Sequence, residues 1–257
     1  MARRNRRSRK APVGAAQAVS PEQEPEPPPE PARTPVVEGD GVVQNIVSVP
    51  PPAAPKDHRF HEARECEEAG EVAQAIEIYR QMLLDDPNDI RVRNNLGCLY
   101  EKRGDPQLAL EQYEAARAIA PDNIAVLLNV GSALAALSRF DQAERELRRA
   151  QKLDPSRSDV YTQLGIMYVK RGLYANADVE LKRAIELNGE NGDAHFYRGE
   201  ALNQLVRVDE ALQSLERAVQ LQPTNARAYY IMGFLFDKKG MSQQATAMYR
   251  KARETAQ

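Results

Sequence analysis

Residues 96–121 read LGCLYEKRGDPQLALEQYEAARAIAP, and this stretch decides the fold. Each half has one apolar helical face, formed by Leu96 and Tyr100 in the first half and by Ala109, Tyr113 and Ala116 in the second. Between them, Gly104 can take the left-handed conformation that ends a helix, Asp105 can cap the next helix, and Pro106 suits its first turn. The stretch therefore predicts two amphipathic helices joined by a tight turn.

The same pattern returns every 34 residues in the rest of the chain. It divides the sequence into repeats 56–89, 90–123, 124–157, 158–191, 192–225 and 226–257. Position twenty of the six repeats is always alanine: Ala75, Ala109, Ala143, Ala177, Ala211 and Ala245. Position eight is Ala63 in the first repeat and glycine in the other five: Gly97, Gly131, Gly165, Gly199 and Gly233. These small residues are expected to let the two helices of a repeat approach closely.

The pattern Leu96–Gly97–x–x–Tyr100…Ala109…Tyr113…Ala116…Pro121 resembles the tetratricopeptide repeat. Six copies over residues 56–257 imply an all-α solenoid, a right-handed superhelix of helix–turn–helix repeats. The departures fall in the terminal repeats, where Arg59, Glu62 and Thr255 replace apolar residues and suit exposed ends.

Residues 1–55 differ from the repeats in composition and are expected to be a disordered tail. They hold 12 of the 17 prolines, and glutamate alternates with proline from residue 21 to residue 31. Six cations crowd the first ten positions: Arg3, Arg4, Arg6, Arg7, Arg9 and Lys10. This cluster could contact a nucleic-acid backbone, an anionic membrane face or an acidic protein patch. The alternative is a tail that only modulates solubility.

Composition and motifs give no support for catalysis. The net charge is −2, which argues against a dedicated nucleic-acid binder, and two cysteines fit a reducing compartment. No phosphate-binding glycine loop, nucleophile elbow or zinc-protease motif occurs, so we predict neither an enzyme nor a cofactor. His58 and His61 are too few for a closed metal site, and no metal is predicted. Without a signal peptide or an apolar run of membrane-spanning length, a cytoplasmic location is expected.

The resemblance implies that the first helix of each repeat lines a concave groove, with positions two, five, six and nine pointing inward. Position six is a carboxamide in three consecutive repeats, Asn95, Asn129 and Gln163. A carboxamide both donates and accepts, so it can pair with both polar groups of a peptide unit. The row resembles the asparagine row of the repeat domain of protein O-N-acetylglucosamine transferase. The alternative is a wall that is merely solvated.

Other inward positions add a cation and an aromatic cluster to the predicted groove. Arg64 lies in the first repeat, and Phe196, Tyr197, Tyr230 and Phe234 lie in the last two. The aromatics would suit apolar anchors of a partner, or they are core residues displaced by one position. The Lys/Asn/Arg clamp of receptors for chaperone tails does not match this chain.

The sequence favours a non-enzymatic scaffold or adaptor that binds an extended peptide or partner segment in the concave groove. One alternative is an adaptor recruited to nucleic acid or an anionic surface by its arginine-rich tail. Another is a subunit of an envelope or secretion assembly, like the six-repeat pilus-assembly lipoproteins. Self-association through the last repeat is also possible, and the identity of the partner lies beyond the sequence.

Overall fold

The computed structural model describes residues 56–256, so the predicted tail with its arginine cluster lies outside the described residues. The described part contains twelve α-helices and no strand. The helices are α1 (Lys56–Glu68), α2 (Val72–Asp85), α3 (Ile90–Arg103), α4 (Pro106–Ile119), α5 (Ile124–Ala136), α6 (Phe140–Leu153), α7 (Ser158–Arg171), α8 (Tyr174–Leu187), α9 (Gly192–Gln204), α10 (Val208–Leu221), α11 (Ala226–Lys238) and α12 (Ser242–Thr255). Consecutive helices pair in antiparallel fashion, which confirms the all-α solenoid.

The helices form two layers. From α3 onward, each odd-numbered helix contacts the next odd-numbered helix, whereas no two even-numbered helices within residues 56–256 make comparable contact. Each even-numbered helix instead packs against its own partner and against the following odd-numbered helix. The odd-numbered helices are thus more closely spaced than the even-numbered ones, and the stack curves toward the odd-numbered layer. The surface of that layer that faces away from the even-numbered helices is the concave face.

Close approach within each pair rests on position eight. A Cβ built on Gly165 would lie 2.3 Å from Leu181 Cγ, and one built on Gly97 would lie 2.3 Å from Tyr113 Cε1. Leu181 and Tyr113 both lie at position 24 of their repeats, and both are completely buried. Position 24 therefore fills the space that the missing side chain at position eight leaves, which closes the helices onto each other.

Side-chain caps begin most of the odd-numbered helices. Asp89 accepts from the backbone N–H groups of Arg91 and Val92, and asparagines cap three later helices in the same way: Asn123, Asn191 and Asn225. Asp105 occupies the N-cap position of α4, as predicted, but its side chain makes no capping bond, and its carboxylate accepts from Arg103 Nε at 2.5 Å. Pro106 does occupy the first turn, as predicted.

Tyrosines at position 24 donate to carboxylates twelve residues earlier. Tyr79 donates to Glu67 at 2.6 Å and Tyr249 donates to Asp237 at 2.8 Å. Tyr113 follows the same geometry with Glu101 at 3.2 Å, and burial raises the pKa of that carboxyl group. Where position 24 is leucine, position twelve is uncharged: Ala135, Val169 and Asn203. Positions twelve and 24 therefore change together: a tyrosine at position 24 is matched by a carboxylate at position twelve, and a leucine by an uncharged residue.

The apolar core falls into two clusters that meet at α9. The first extends from Ala63 to Ala201, and the second from Phe196 to Ala252. A polar network lies at the start of the same helix. There Asn191 Nδ2 donates to Ser158 Oγ at 3.2 Å and to the buried Thr162 Oγ1 at 2.9 Å.

Gly165→Val should destabilise the domain. The branched side chain would overlap the fully buried Leu181, and such overpacking costs about 1–3 kcal/mol. This cost exceeds the roughly 0.5 kcal/mol by which the higher helix propensity of valine would favour the folded state. Urea denaturation followed by circular dichroism measures the loss. Gly189→Val is the control, since a Cβ there lies 3.9 Å from its nearest neighbour, and it should change stability by no more than about 0.5 kcal/mol. Equal midpoints for the two variants would contradict the packing role of position eight.

A left-handed residue lies between the helices of each repeat, at position fifteen. Gly104, Gly172 and Gly240 have φ of 88°, 81° and 71°, which confirms the helix stop predicted at Gly104 and repeats it at the other two. Two repeats place other residues in the same conformation, Ser138 at 58° and Val206 at 60°. A β-branched residue is strained in this region of φ.

Val206→Gly should therefore raise stability by about 1 kcal/mol, because it relieves this strain at an exposed site. Val179→Gly is matched in residue type and exposure, 67% against 73% for Val206, but lies inside α8. It should lower stability by a similar amount, since glycine disfavours helix interiors. Thermal midpoints of both variants give the test, and a lower midpoint for Val206→Gly would rule out relief of strain.

Candidate peptide-binding groove

The three carboxamides of the predicted row lie on α3, α5 and α7, and all three are half-buried. Asn95 is already engaged, because its Nδ2 donates to Tyr79 Oη at 3.0 Å. Asn129 and Gln163 make no side-chain hydrogen bond to any residue of the described range, so both of their polar groups are available to a ligand. The row thus consists of two carboxamides that are unbonded within the described residues, preceded by one that links α3 to α2 of the preceding repeat.

The inward positions beside these two carboxamides are almost uncharged. Positions two, five, six and nine of repeats three and four contain one charged residue, Asp159, whose carboxylate accepts from Arg157 Nε at 3.0 Å. The half-buried Ser132 and Ile166, at position nine, lie one helical turn from Asn129 and Gln163. Ser132 and Ile166 are not among the groove residues predicted above, although their position in the repeat identifies them. The half-buried Glu101 carboxylate lies near Ser132, and the positive charge of Lys170 acts on it, so the surface is neutral only at the inward positions themselves.

The structure corrects one member of the predicted aromatic cluster. Phe196 is 5% exposed and belongs to the second core cluster, so it offers almost no surface to a ligand. The reason is its position: at position five it faces the next repeat, and the Arg227 guanidinium lies 5.6 Å from its ring centroid. The alternative interpretation, a core residue at the edge of the groove, is therefore the correct one for Phe196.

The other three aromatic residues keep some accessible surface. Tyr197 is half-buried and packs edge-on against Phe196 with a centroid distance of 5.0 Å, and burial raises its pKa. Phe234 is 43% exposed, with Lys238 Nζ 4.4 Å from its ring centroid. Tyr230 is 61% exposed, and its ring lies 5.6 Å from that of Tyr249.

The remaining candidate residues have local partners. Arg64 is exposed and pairs with Glu68 at 3.7 Å, so its charge is shared within α1. His61 Nδ1 lies 3.2 Å from Glu65 Oε1, and the described residues contain no group of three or more side chains that could hold a metal ion. Cys66 is buried, and Cys98 is half-buried and accepts from Tyr113 Oη at 3.4 Å.

His195 has a structural contact at the boundary between repeats four and five. It is half-buried, and its Nε2 donates to the Gly189 carbonyl at 3.1 Å. Tyr161 lies at the same position of the preceding repeat and donates to the Pro155 carbonyl at 3.0 Å. His195 is thus the counterpart of a packing tyrosine.

Comparison with known families identifies the repeat. A family described as the cilia and flagella-associated protein 70 C-terminal domain, which consists of tetratricopeptide repeats, matches residues 59–257, more than three quarters of the chain. The chain belongs to this family. The tetratricopeptide interpretation of the sequence is therefore confirmed. None of the curated proteins with which the chain was compared matches it significantly.

Solved structures agree with the tetratricopeptide fold. The crystal structure of MamA is 25% identical, with a TM-score of 0.53 over 63% of this chain and 94% of MamA. The PilF protein of Pseudomonas aeruginosa is 24% identical, with a TM-score of 0.62 over 75% of this chain and 88% of PilF. The hetero-tetramer of Cut9 and Hcn1 from the APC/C gives a TM-score of 0.66 at 13% identity, over 78% of this chain and 43% of that one. The last two similarities concern the fold alone.

The tetratricopeptide domain contains no span for a bilayer. Within residues 56–256, no helix combines the length and the apolar composition that crossing a membrane requires.

The pKa of His195 gives a pH test of its environment. Burial lowers this pKa below 6.5, so between the two values the unfolded chain binds more protons than the folded one. The contribution of His195 to the stability of the fold should therefore be fully present above about pH 6.5. It should be lost as the pH drops from there through the pKa that His195 has in the folded state. His195→Tyr, which copies Tyr161, should lose less thermal stability than the wild type between about pH 7.5 and pH 5. His58 and His61 are present in both proteins, so an identical pH dependence would contradict the assignment to His195.

Proposed function

We propose that this chain is a non-enzymatic scaffold that binds an extended peptide segment of a partner along the odd-numbered helices. Tetratricopeptide solenoids are in general scaffolds for protein interactions, and the proposal adds the kind of ligand and the residues that hold it. The observation that carries it is the pair of carboxamides, Asn129 and Gln163, which lie at equivalent places on α5 and α7 and make no side-chain hydrogen bond within residues 56–256.

Their spacing suits a peptide in extended conformation. Adjacent odd-numbered helices pack at about 8–10 Å, and an extended chain rises about 3.3 Å per residue. Asn129 and Gln163 would then meet two peptide residues that lie three positions apart. Each carboxamide would bond both the N–H and the C=O of the residue that it meets.

The aromatic end gives the peptide a direction. Beyond Gln163, three aromatic or aliphatic residues are accessible on the same layer, Tyr197, Ile231 and Phe234, beside the charged Asp193, Glu200 and Arg227. Buried aromatic and aliphatic anchors supply most of the energy in small interfaces. The preferred ligand therefore carries a neutral extended stretch followed by one or two large apolar side chains, and Arg64 lies at the opposite end of the layer.

Peptides that bind this surface can be selected from a random twelve-residue display library with residues 56–257 as bait. Asn129→Ala/Gln163→Ala should weaken the selected peptides about ten-fold or more, because each lost pair of hydrogen bonds contributes about 1 kcal/mol. Asn95 is left intact, since its truncation would disturb Tyr79. Gln142→Ala/Asn176→Ala removes two exposed carboxamides from the even-numbered helices and should leave affinity unchanged.

The full chain serves as the second bait and tests the arginine-rich tail. Peptides or polyanions that bind only residues 1–257, and that dissociate at moderate salt, would place recognition in residues 3–10. Equal affinity of the wild type and the Asn129→Ala/Gln163→Ala variant for every selected peptide would overturn the proposal for the groove.

A further inference from the structure

A polar depression of about 400 Å³ lies between α9 and α10, the two helices of repeat five. His195 and Arg198 of α9 line one side, and α10 contributes four side chains without negative charge: Gln213, Ser214, Arg217 and Gln220. Positions four and six of a repeat lie about 200° apart around the helix axis, so His195 faces away from Tyr197. The depression is therefore separate from the candidate groove.

The equivalent depression in repeat four contains acids that balance its cations. Two cations and two acids form most of its wall: Lys182, Arg183, Glu180 and Glu186. Glu186 accepts from Arg183 Nη1 at 3.1 Å. In repeat five, neutral residues replace both acids, Ser214 at position 23 and Gln220 at position 29. Repeat five thus lacks the carboxylates that neutralise this place in repeat four.

Arg217 is the counterpart of Arg183 and keeps only a neutral partner. Its Nη1 donates to Gln220 Oε1 at 3.1 Å, and it forms no ion pair within residues 56–256. The residue is exposed, and a guanidinium carries five N–H donors in a fixed fork. Most of these donors are therefore available to a ligand.

Arg198 adds a second guanidinium to the depression. It lies at position seven, which is apolar in repeats two, three, four and six: Leu96, Val130, Leu164 and Met232. Arg198 Nε donates to Asp178 at 2.8 Å, and Nη1 donates to Ser214 Oγ at 3.5 Å. The other oxygen of Asp178 accepts from Arg207 Nη1 at 2.5 Å. One carboxylate is thus shared by two guanidiniums.

His195 lies beside both arginines of the depression. Burial lowers the pKa of His195, and the positive charges of Arg217 and Arg198 lower it further. Its Nε2 donates to the Gly189 carbonyl at 3.1 Å, which leaves Nδ1 on the other side of the ring. Protonation of Nδ1 would add a third cationic donor.

We propose that this depression, named the repeat-five anion site, binds a tetrahedral oxyanion, namely a phosphate group that is free or carried as a monoester on a partner. Guanidinium forks match the geometry of such oxyanions. The hydroxyl of Ser214, which is 3% exposed, and the amide of Gln213 lie in the same wall as neutral donors. These donors outnumber the two oxygens of a carboxylate, which favours phosphate.

The acids near the repeat-five anion site do not cancel its charge. Glu216 is the one acid in the wall, and it is exposed and forms no hydrogen bond or ion pair within residues 56–256. Two arginines against this one glutamate give the wall a net charge of +1 while His195 is neutral. Asp178 lies outside the wall and is held by Arg207 as well. A bound anion would therefore meet a positive surface.

Sulfate is the first probe, because it stays doubly charged where a phosphate group gains a proton, near pH 6. Proton NMR of the full chain follows the imidazoles of His58, His61 and His195, and His195→Tyr assigns the last. Sulfate should raise the pKa of His195 by about 0.5 or more relative to chloride at equal ionic strength, since a bound anion favours the imidazolium. Sulfate affinity should therefore rise about three-fold as the pH falls from about 7.5 to about 5.5.

Matched variants make the test specific to the repeat-five anion site. Arg217→Gln should weaken sulfate binding about five-fold or more, whereas Arg183→Gln, also exposed and at the same position of repeat four, should leave it unchanged. Arg198→Leu, which copies Leu164, should also weaken binding, and Glu216→Gln should strengthen it. The arginine-rich tail is present in every variant, so its own affinity for anions cancels.

Two further probes distinguish the sources of the phosphate group. Tighter binding of a short phosphoserine peptide than of inorganic phosphate would support a partner, and equal affinity would support the free anion. Asn129→Ala/Gln163→Ala should change neither, so failure of the groove leaves this site intact. No saturable effect of sulfate on His195 below about 50 mM, equal affinity of the wild type and Arg217→Gln, or tighter binding of acetate than of sulfate would each overturn the proposal.

Discussion

The close approach of two helices at position eight is the constraint on which the structure depends. A glycine on the first helix admits the side chain at position 24 of the second, and the contact recurs from Gly97 with Tyr113 to Gly233 with Tyr249. This contact fixes the spacing of each pair, and the spacing fixes the surface that the pair offers to the next repeat. An error at one position eight would therefore alter both the repeat and its neighbour.

Curvature and binding surface follow from the same spacing. Because the odd-numbered helices contact one another and the even-numbered helices do not, side chains on the inner layer from different repeats are brought to a regular interval. Asn129 and Gln163 share one environment for this reason, although 34 residues separate them. Helices α5 and α7 begin at equivalent residues, Ile124 and Ser158, although only α5 has a side-chain cap, which Asn123 provides.

Most of the fold can be predicted from the sequence because its determinants are local or periodic. Positions eight, twenty and 24 predict the helix pairs, and Gly104 predicts the turn between two helices. The left-handed turns at Ser138 and Val206 could not be predicted from residue type, since tertiary packing imposes a conformation that valine disfavours. The side chain of Asp105 makes no capping bond because Arg103 competes for the same carboxylate.

The candidate groove could be predicted only in part. The helix that carries each residue follows from the period, but the exposure of Phe196 and the partner of Asn95 depend on side chains of neighbouring repeats. Asn95 reaches a tyrosine sixteen residues earlier, and Phe196 lies under an arginine of the following repeat. Contacts across a repeat boundary depend on rotamers as well as on register, and a single sequence does not specify them.

The division of the core at α9 has a mechanical consequence. The first cluster ends at Ala201 and the second begins at Phe196, so one helix carries both, and the polar network of Asn191, Ser158 and Thr162 lies beside the division. Tyr197 on this helix packs against both clusters, so α9 couples them and does not separate them. A force applied to one end of the domain would therefore pass through α9 to the other end.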